Sequence, residues 1–439
     1  MTSLRRLTRC CLANANRLLV LLISTVLLVT VITTVTHQDP YGRRTSRLAD
    51  DQTAYIQSLR DRMNRIVANT DENSSSRHHV RTLSKRDRGD GVRNNNDSDD
   101  NQQENWPLSN SQQQQCPARK DVGHVTLFVA FVTESYKRHY RVAQQTLYCY
   151  VNRTGYELLL VDLDTDARVI EQCARYTQLF FRKHCAAAAY LRESDWLVVL
   201  DADTGIVNPD RCLEEYIHPV RNVQLILYER FFNWEIASGN YIVKNTQFAR
   251  KFLLDWAEMQ YTQPKGFTGA DNGALQLHLL RTLIPDAEPE IETCNLIWSN
   301  ATSYESYMSY VTCCKVARGA RYLWPKVKIY RRAHGWVQDW FMTNDQWCPS
   351  NFMFHGWKAN EVGEKGWRSP FTRPPAGANC HAGREWPWRN TSRITCAAVK
   401  GHLANAERGS ARGFPAVARN LPYLSNPDIA SCWPHCSSR

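Results

Sequence analysis

Short apolar runs alternate with segments of helical periodicity through the middle of the chain. Four runs have the length and apolar content of buried strands: 125–132, 157–161, 196–200 and 223–228. Helices are predicted over three segments between and after them: 138–150, 168–191 and 246–260. Alternation of strands and helices at these lengths predicts an α/β fold with a mainly parallel sheet in a three-layer α/β/α arrangement.

The regions on either side of this alternation have a different character. Residues 37–120 are rich in Asn, Gln, Ser, Asp and Arg and offer no apolar core, which predicts a disordered stem. Residues 376–439 show little periodicity and contain four cysteines, so we expect an irregular C-terminal extension tied by disulfides. The folded domain is therefore predicted over 121–375.

A long apolar segment lies close to the N-terminus. Leu18–Thr36 carries no formal charge, and as a helix it would span about 28 Å, close to the hydrocarbon core of a bilayer. Four arginines and no acidic residue precede it, which favours a cytoplasmic tail over 1–17 and a single-pass type II anchor over 18–36. A cleaved signal peptide is the alternative, but it would have a shorter apolar region and an Ala-x-Ala site after Val35.

Two further features favour a luminal location for the residues after the anchor. Five Asn-x-Ser/Thr sequons allow N-glycosylation: Asn73, Asn96, Asn152, Asn300 and Asn390. Of the 15 cysteines, only Cys10 and Cys11 precede the anchor. The others should form disulfides in an oxidising lumen, and their odd number leaves one free or intermolecular.

The net charge does not indicate a nucleic-acid partner. The formal charge is +11, but four of the excess positive charges belong to the arginines before the anchor. The remaining excess is spread thinly over the chain, whereas nucleic-acid-binding domains concentrate theirs in a patch or stripe.

The strongest chemical motif follows the most apolar strand. Asp201-Ala-Asp203 comes directly after 196–200, and ligands bind open α/β sheets outside the carboxyl ends of the strands. Two carboxylates separated by one residue can share a hard divalent cation and leave positions for phosphate oxygens. The alternative is a pair of solvated aspartates in a turn, since Asp-x-Asp arises easily, as in Asp162-x-Asp164-x-Asp166. The apolar strand before Asp201 and the Thr-Gly-Ile-Val-Asn-Pro sequence after Asp203 favour the metal site.

Four segments carry a family resemblance: LVVLDADTGIVNP, YERFFNWEIASGNYIVKN, GFTGADNGALQLHLL and NFMFHGWK. Together they resemble a nematode family of secretory-pathway proteins, which is similar in turn to fungal galactosyl- and mannosyltransferases and to plant xyloglucan xylosyltransferases. The resemblance covers roughly 125–358. It implies a GT-A fold, a nucleotide-sugar donor, manganese as the cofactor and retention of anomeric configuration.

The resemblance also implies roles for individual residues. Asp201 and Asp203 correspond to the metal- and diphosphate-binding aspartates, and His355 to a histidine that completes the metal site. His334, which is also followed by Gly-Trp, is the rival ligand, and a packed histidine is the plain alternative for His355. Lys358 is expected to contact the departing diphosphate.

Two further segments are implicated in sugar binding. Ser238-Gly239-Asn240 is predicted to form a tight turn that lines the donor-sugar pocket, where Asn240 would contact sugar hydroxyls; an ordinary turn is the alternative. Asp271-Asn272 opens a predicted helix, where Asp271 is either a helix cap or a carboxylate that stabilises an oxocarbenium-like transition state. Asp271 and Asn240 are therefore the candidate catalytic residues, with Ser238, Gly239 and Asn272 in donor binding.

The sequence thus predicts a metal-dependent glycosyltransferase of the Golgi or ER membrane. It would move a sugar from a nucleotide-sugar donor, expected to be UDP-linked, to a luminal glycan or glycoprotein. The alternative is a non-catalytic carbohydrate-binding or scaffolding luminal protein that keeps the same fold, since fold alone does not establish activity.

Overall fold

The computed structural model describes residues 122–217, 222–319, 321–358, 369–381, 384–413, 429 and 433–434. The predicted anchor, the stem and the sequons at Asn73 and Asn96 lie outside these residues. Within the described ranges, no helix combines the length and the apolar character needed to cross a membrane.

The described strands form two sheets. They are β1 Val125–Phe131, β2 Glu157–Asp162, β3 Trp196–Leu200, β4 Gly205–Ile206, β5 Leu225–Tyr228, β6 Tyr241–Lys244, β7 Val327–Tyr330, β8 Val337–Asp339 and β9 Met353–His355. The large sheet has the order β2-β1-β3-β6-β5-β7, and the small sheet the order β4-β9-β8. In the large sheet β6 runs antiparallel to both neighbours and the other pairs are parallel, which confirms a central, mainly parallel sheet.

The described helices lie between and after the strands. They are α1 Thr133–His139, α2 Arg141–Thr154, α3 Ala167–Cys173, α4 Leu179–Tyr190, α5 Glu214–Ile217, α6 Gln247–Glu258, α7 Ala270–Leu283, α8 Glu288–Ser299, α9 Tyr304–Arg318 and α10 Cys396–Gly413.

The single helix predicted over 168–191 is wrong, because the chain breaks into α3 and α4. The Cys173–Cys185 disulfide crosses this break with a Cα–Cα distance of 5.8 Å. Twelve residues of continuous helix would separate the same atoms by about 18 Å, so the chain has to turn back between the two cysteines. A continuous helix with Val169 and Cys173 on its buried face would also bury Phe180. Because of the break, Phe181 is buried instead and Phe180 is 41% exposed.

Both faces of the large sheet are covered, because alternate strand residues point to opposite sides. On one face Val129 and Leu200 join a cluster with Leu147 of α2 and Phe354 of the small sheet. On the other face Tyr241 packs against α4 and α6. This burial explains why the strands are continuous apolar runs.

Residues 396–413 form helix α10, so the expected irregular structure is wrong for this part of the extension. The buried positions Val399, Leu403, Ala406 and Ser410 repeat at helical spacing. Two of these four side chains are small or polar, which is why the apolar pattern is weak. Disulfides tie the extension to the domain, as expected: Cys149–Cys380 and Cys348–Cys396.

Other cysteines follow the same expectation. Cys173–Cys185 and Cys294–Cys313 are further disulfides, and Cys212 is also disulfide-bonded. Among the described residues Cys314 is free and buried. The sequons at Asn152, Asn300 and Asn390 all lie at exposed positions.

Candidate functional site

Asp201 and Asp203 lie in a tight loop at the carboxyl end of β3. The backbone N–H of Asp201 donates to Asn240 Oδ1 (3.1 Å), and the hydroxyl of Thr204 donates to the same oxygen (2.9 Å). Gln144 of α2 donates to the carbonyl oxygen of Ala202 (2.8 Å). These bonds hold the loop on both sides, so the positions of the two carboxylates are fixed by the sheet and by α2.

The small sheet brings His355 to this loop from 150 positions further along the chain. Strand β4 begins soon after Asp203 and pairs antiparallel with β9, at whose end His355 stands. His355 Nε2 lies 3.5 Å from Asp201 Oδ2 and 3.4 Å from Asp203 Oδ1. The N–H of Trp357 donates to the carbonyl of Asp203 (2.9 Å), so the segment after β9 is also bonded to the loop that carries the two aspartates.

Asp339 orients the imidazole of His355. The two residues are register partners on the parallel strands β8 and β9, and His355 Nδ1 lies 2.8 Å from Asp339 Oδ1. Since a carboxylate accepts, Nδ1 carries the proton and Nε2 faces Asp201 and Asp203. This carboxylate–histidine arrangement is the usual outer support of a metal-ligating histidine.

The donor set fits a divalent cation. Within the described residues, one ligand atom each from Asp201, Asp203 and His355 lies within 4.8 Å of the other two. Neighbouring ligands of an octahedral ion with bonds near 2.1 Å are about 3 Å apart, so the site needs only a small contraction. Burial lowers the pKa of His355, but the carboxylates of Asp203, Asp201 and Asp339 raise it to about 10. At neutral pH without a cation Nε2 is therefore protonated as well, and a cation would take the place of this Nε2 proton in balancing the carboxylates.

The rival ligand His334 does not belong to this cluster. It is buried, and its Nδ1 lies 2.7 Å from the carbonyl oxygen of Arg332. The structure therefore places His355, and not His334, beside the two aspartates.

Asp271 lies behind the acidic loop and is joined to it by a lysine. Lys183 Nζ lies 2.9 Å from Asp201 Oδ1 and 3.7 Å from Asp271 Oδ2. Burial raises the pKa of each aspartate, but Lys183 together with a histidine, His355 for Asp201 and His184 for Asp271, outweighs burial and holds both pKa values below the usual range. Both carboxylates are therefore ionised around a buried ammonium group.

The helix-cap alternative for Asp271 is wrong. Helix α7 begins at Ala270 and its N-cap is Gly269 with φ 67°, while the N–H of Ala270 donates to the hydroxyl oxygen of Thr268 (2.9 Å). Asp271 turns its carboxylate towards α4 instead, where His184 Nε2 lies 3.1 Å from Oδ2. Its side chain is only 4% exposed.

Lys183 and His184 were missed by the sequence analysis. Both lie on α4 and are buried, with His184 entirely inaccessible. A signal existed, because Lys183 stands one helical turn before the buried Ala187, and a charged residue on an apolar face calls for a partner.

The Ser238-Gly239-Asn240 turn packs directly against Asp201. A Cβ at Gly239 would lie 1.8 Å from Asp201 Oδ2, so no other residue fits without displacement of the carboxylate. The N–H of Ser238 donates to Asn272 Oδ1 (3.0 Å), which links the turn to the start of α7.

Asn240 does not have the role expected for it. Its Oδ1 accepts from Asp201 and Thr204, its Nδ2 donates to the hydroxyl of Tyr228 (3.2 Å), and the residue is 1% exposed. Because the amide is used to shape the acidic loop, we assign Asn240 to the support of that loop and not to contact with a sugar.

Lys358 stands on the outer side of the site. Its Nζ lies 3.7 Å from Asp203 Oδ2, and its side chain is 37% exposed. Tyr140 lies close enough that Asp203 affects it: burial, followed by the charge of Asp203, raises the pKa of its hydroxyl to about 12.

Comparison with known proteins gives one family. A family described as "Protein of unknown function, DUF273" matches residues 147–368, about half of the chain. This range contains Asp201, Asp203, Asp271 and His355. No curated protein matches the chain.

Two solved structures are partly similar. The first is "crystal structure of a glycosyltransferase involved in the glycosylation of the major capsid of PBCV-1", with 18% identity, 31% of this chain and 67% of that chain covered, and a TM-score of 0.24. The second is "Crystal Structure of A197 from STIV", with 12% identity, 30% and 66% covered, and a TM-score of 0.20. These overlaps are small, and the function proposed below is argued from the site.

Proposed function

We propose that this chain, which belongs to the DUF273 family through residues 147–368, is a metal-dependent glycosyltransferase with a GT-A fold. It would use a nucleotide-sugar donor, expected to be UDP-linked, and manganese. The observation that carries the proposal is the meeting of Asp201, Asp203 and His355 at the carboxyl end of a central strand, where open α/β sheets bind ligands.

The ligand chemistry supports manganese within this proposal. Two carboxylates and one imidazole combine oxygen ligands with a nitrogen ligand, a set that suits manganese better than magnesium or calcium. When bound, the cation would neutralise the diphosphate as it leaves. Asp339 orients the imidazole of His355, and Asn240 holds the backbone at Asp201, so the ligands are positioned before a cation binds.

The charges around the site support roles for two further residues. Lys358, at the outer edge beside Asp203, would contact the departing diphosphate. Asp271, ionised and buried behind Asp201, would stabilise positive charge on the transferred sugar, as carboxylates do in glycoside hydrolysis. Retention of anomeric configuration is part of the proposal.

The cellular setting is proposed from the sequence. The apolar segment 18–36, the sequons and the disulfides support a type II protein of the Golgi or ER membrane. The acceptor would then be a luminal glycan or glycoprotein. Exposure of Asn152, Asn300 and Asn390 is compatible with N-glycosylation on that side.

Donor turnover by the full-length chain in detergent tests the proposal. A panel of UDP- and GDP-sugars is incubated with manganese or with EDTA, and nucleotide release is measured. We expect nucleotide release from one donor, and we expect EDTA to abolish it. Asp203→Ala should reduce it at least about 100-fold, since this change removes a ligand of the cation that would neutralise the leaving diphosphate.

The matched control is Asp164→Ala. Asp164 also belongs to an Asp-x-Asp sequence, but it is 56% exposed and pairs with Arg182. It should therefore retain full activity. Full activity of Asp203→Ala would contradict the proposed site. Donor binding without turnover on a broad set of acceptors would favour the non-catalytic carbohydrate-binding alternative.

A further inference from the structure

A chain of buried polar groups leads from the large sheet to Asp271. The hydroxyl of Tyr241 lies 2.9 Å from His184 Nδ1, and His184 Nε2 lies 3.1 Å from Asp271 Oδ2. His184 is fully buried, and Tyr241 and Asp271 are 0% and 3% exposed. The contact thus joins strand β6, helix α4 and the first turn of helix α7.

The direction of these hydrogen bonds follows from the charges. Asp271 is ionised, because Lys183 and the bond from His184 hold its pKa low despite burial, so its oxygens only accept. His184 must then donate through Nε2–H. Burial lowers the pKa of His184 to about 4, so the ring is neutral and its Nδ1 accepts from the hydroxyl of Tyr241. Only one tautomer satisfies both neighbours.

Helix α6 fixes the imidazole plane. The indole ring of Trp256 stacks on His184 with centroids 3.5 Å apart and an interplanar angle of 15°. Trp256 Nε1 also donates to the backbone carbonyl of Asp271 (3.1 Å). The stacked pair therefore holds both the backbone and the side chain of Asp271.

The contacts of Asp271 are uneven between its two oxygens. Oδ2 faces His184 and Lys183, whereas within the described part of the chain no hydrogen bond reaches Oδ1. Because the contacts with the protein are made through Oδ2, Oδ1 is left to contact a ligand.

We propose that His184 is a positioning residue for Asp271, and that the Tyr241–His184–Asp271 relay keeps Oδ1 directed at the transferred sugar. The inference rests on the proposed function, in which Asp271 stabilises charge on the transferred sugar and its carboxylate needs a fixed orientation. His184 does not touch the substrate; it acts through Asp271.

The test compares two replacements of His184 in the full-length chain at saturating manganese. The amide nitrogen of Gln reaches about as far as Nε2 and still donates to Asp271, whereas that of Asn is too short. We expect His184→Asn to lower kcat about 10- to 100-fold, the usual effect of losing an outer support, with the donor KM and the manganese requirement unchanged within about twofold. His184→Gln should restore most of kcat.

A double variant separates positioning from general packing. In the Asp271→Asn background, His184→Asn should cost less than about twofold, because residues that act as one unit are not additive. The control His278→Asn removes another buried histidine, one that hydrogen-bonds the carbonyl of Phe252 and packs on its ring, and should lower the melting temperature without lowering kcat. If His184→Asn fails to fold, Tyr241→Phe carries the test, with an expected loss of about 3- to 10-fold in kcat.

Three results overturn the inference in distinguishable ways. An active wild type with normal kcat in His184→Asn, or in Tyr241→Phe where that variant carries the test, removes the relay and leaves the proposed function standing. Equal losses from His184→Asn with and without Asp271 show a packing role only. A wild type with no metal-dependent donor turnover overturns the proposed function, and with it the positioning role of His184.

Discussion

The close approach of a backbone to a carboxylate is the tightest constraint at the scale of single residues. Gly239 leaves no room for a methyl group, since its Cβ would stand 1.8 Å from Asp201 Oδ2. Asp201 cannot retreat freely, because Lys183 and His355 contact its two oxygens. Any side chain at position 239 must therefore displace a metal ligand.

We expect Gly239→Ala to weaken manganese binding at least about 10-fold and to destabilise the domain by about 1–3 kcal/mol, as overpacking usually does. Manganese-dependent shifts of the melting temperature measure both effects. Gly401→Ala is the matched control: a Cβ at Gly401, in α10, meets nothing within 4 Å. It should be neutral or stabilising by up to about 1 kcal/mol. Normal manganese affinity in Gly239→Ala would contradict the crowding argument.

Single residues also show how far sequence reasoning reached. Asp201 and Asp203 could be placed from the sequence because a strand end fixes their position, and Asp339 could not because its role depends on register with His355. Asn240 is predicted to contact the sugar because its amide offers a donor and an acceptor, yet Thr204 and Tyr228 occupy these groups. Burial and partners of polar side chains are long-range properties, which local pattern does not contain.

At the scale of elements, helices α6 and α7 are joined by an imidazole. His278 Nε2 donates to the carbonyl of Phe252 at 3.0 Å, and the two rings lie 4.1 Å apart. Burial lowers the pKa of His278 to about 4. His278 has a pKa near 6.5 in the unfolded chain, so between pH 6.5 and 4 it is protonated there and neutral in the folded protein. The contribution of this contact to the free energy of unfolding is therefore lost as the pH falls from 6.5 towards 4.

We expect His278→Gln to lose less stability than the wild type between pH 7.5 and 5.5, by about 1 kcal/mol. Gln keeps an N–H for Phe252 but cannot be protonated, and the comparison cancels every other titrating group. Urea unfolding midpoints at the two pH values provide the measurement. Parallel losses in the two proteins would mean that His278 is not buried in its neutral form.

Elements were easier to predict than their breaks. The buried strands were located because all five residues of β3 are apolar and inaccessible. The interruption between α3 and α4 could not be predicted from the Cys173–Cys185 disulfide that crosses it, because cysteine pairing cannot be deduced from spacing. Helix α10 was missed because its buried face includes Ala406 and Ser410, which add little to an apolar pattern.

At the scale of the whole molecule, the family-matched segment is smaller than the folding unit. Residues 147–368 exclude β1, which lies between β2 and β3 in the large sheet. They also exclude Trp386, which belongs to the core cluster with Phe371 and Trp357. Without β1 the backbone groups of β2 and β3 that face it would lose their strand partners.

A chain limited to 147–368 should therefore fail to fold, whereas 122–439 should fold cooperatively and bind manganese. Secretion yield, protease resistance and a cooperative thermal transition distinguish the two. A fragment ending at 375 tests the extension separately, and we expect it to be secreted poorly because Trp386 and the partners of Cys149 and Cys348 are missing. A well-folded 147–368 fragment would show that β1 is dispensable.

The pairing of Cys149 with Cys380 has a consequence for biosynthesis. The two cysteines are 231 residues apart, so the thiol of Cys149 has no native partner until nearly the whole domain has been made. At about 5–20 residues per second, that delay lasts at least about 12 seconds. In the luminal compartment proposed above, Cys173, Cys185 and Cys212 would be present with Cys149 before Cys380 is made. A non-native bond of Cys149 formed there would have to be exchanged after synthesis, and we expect the supply of disulfide isomerase to limit the yield of native protein.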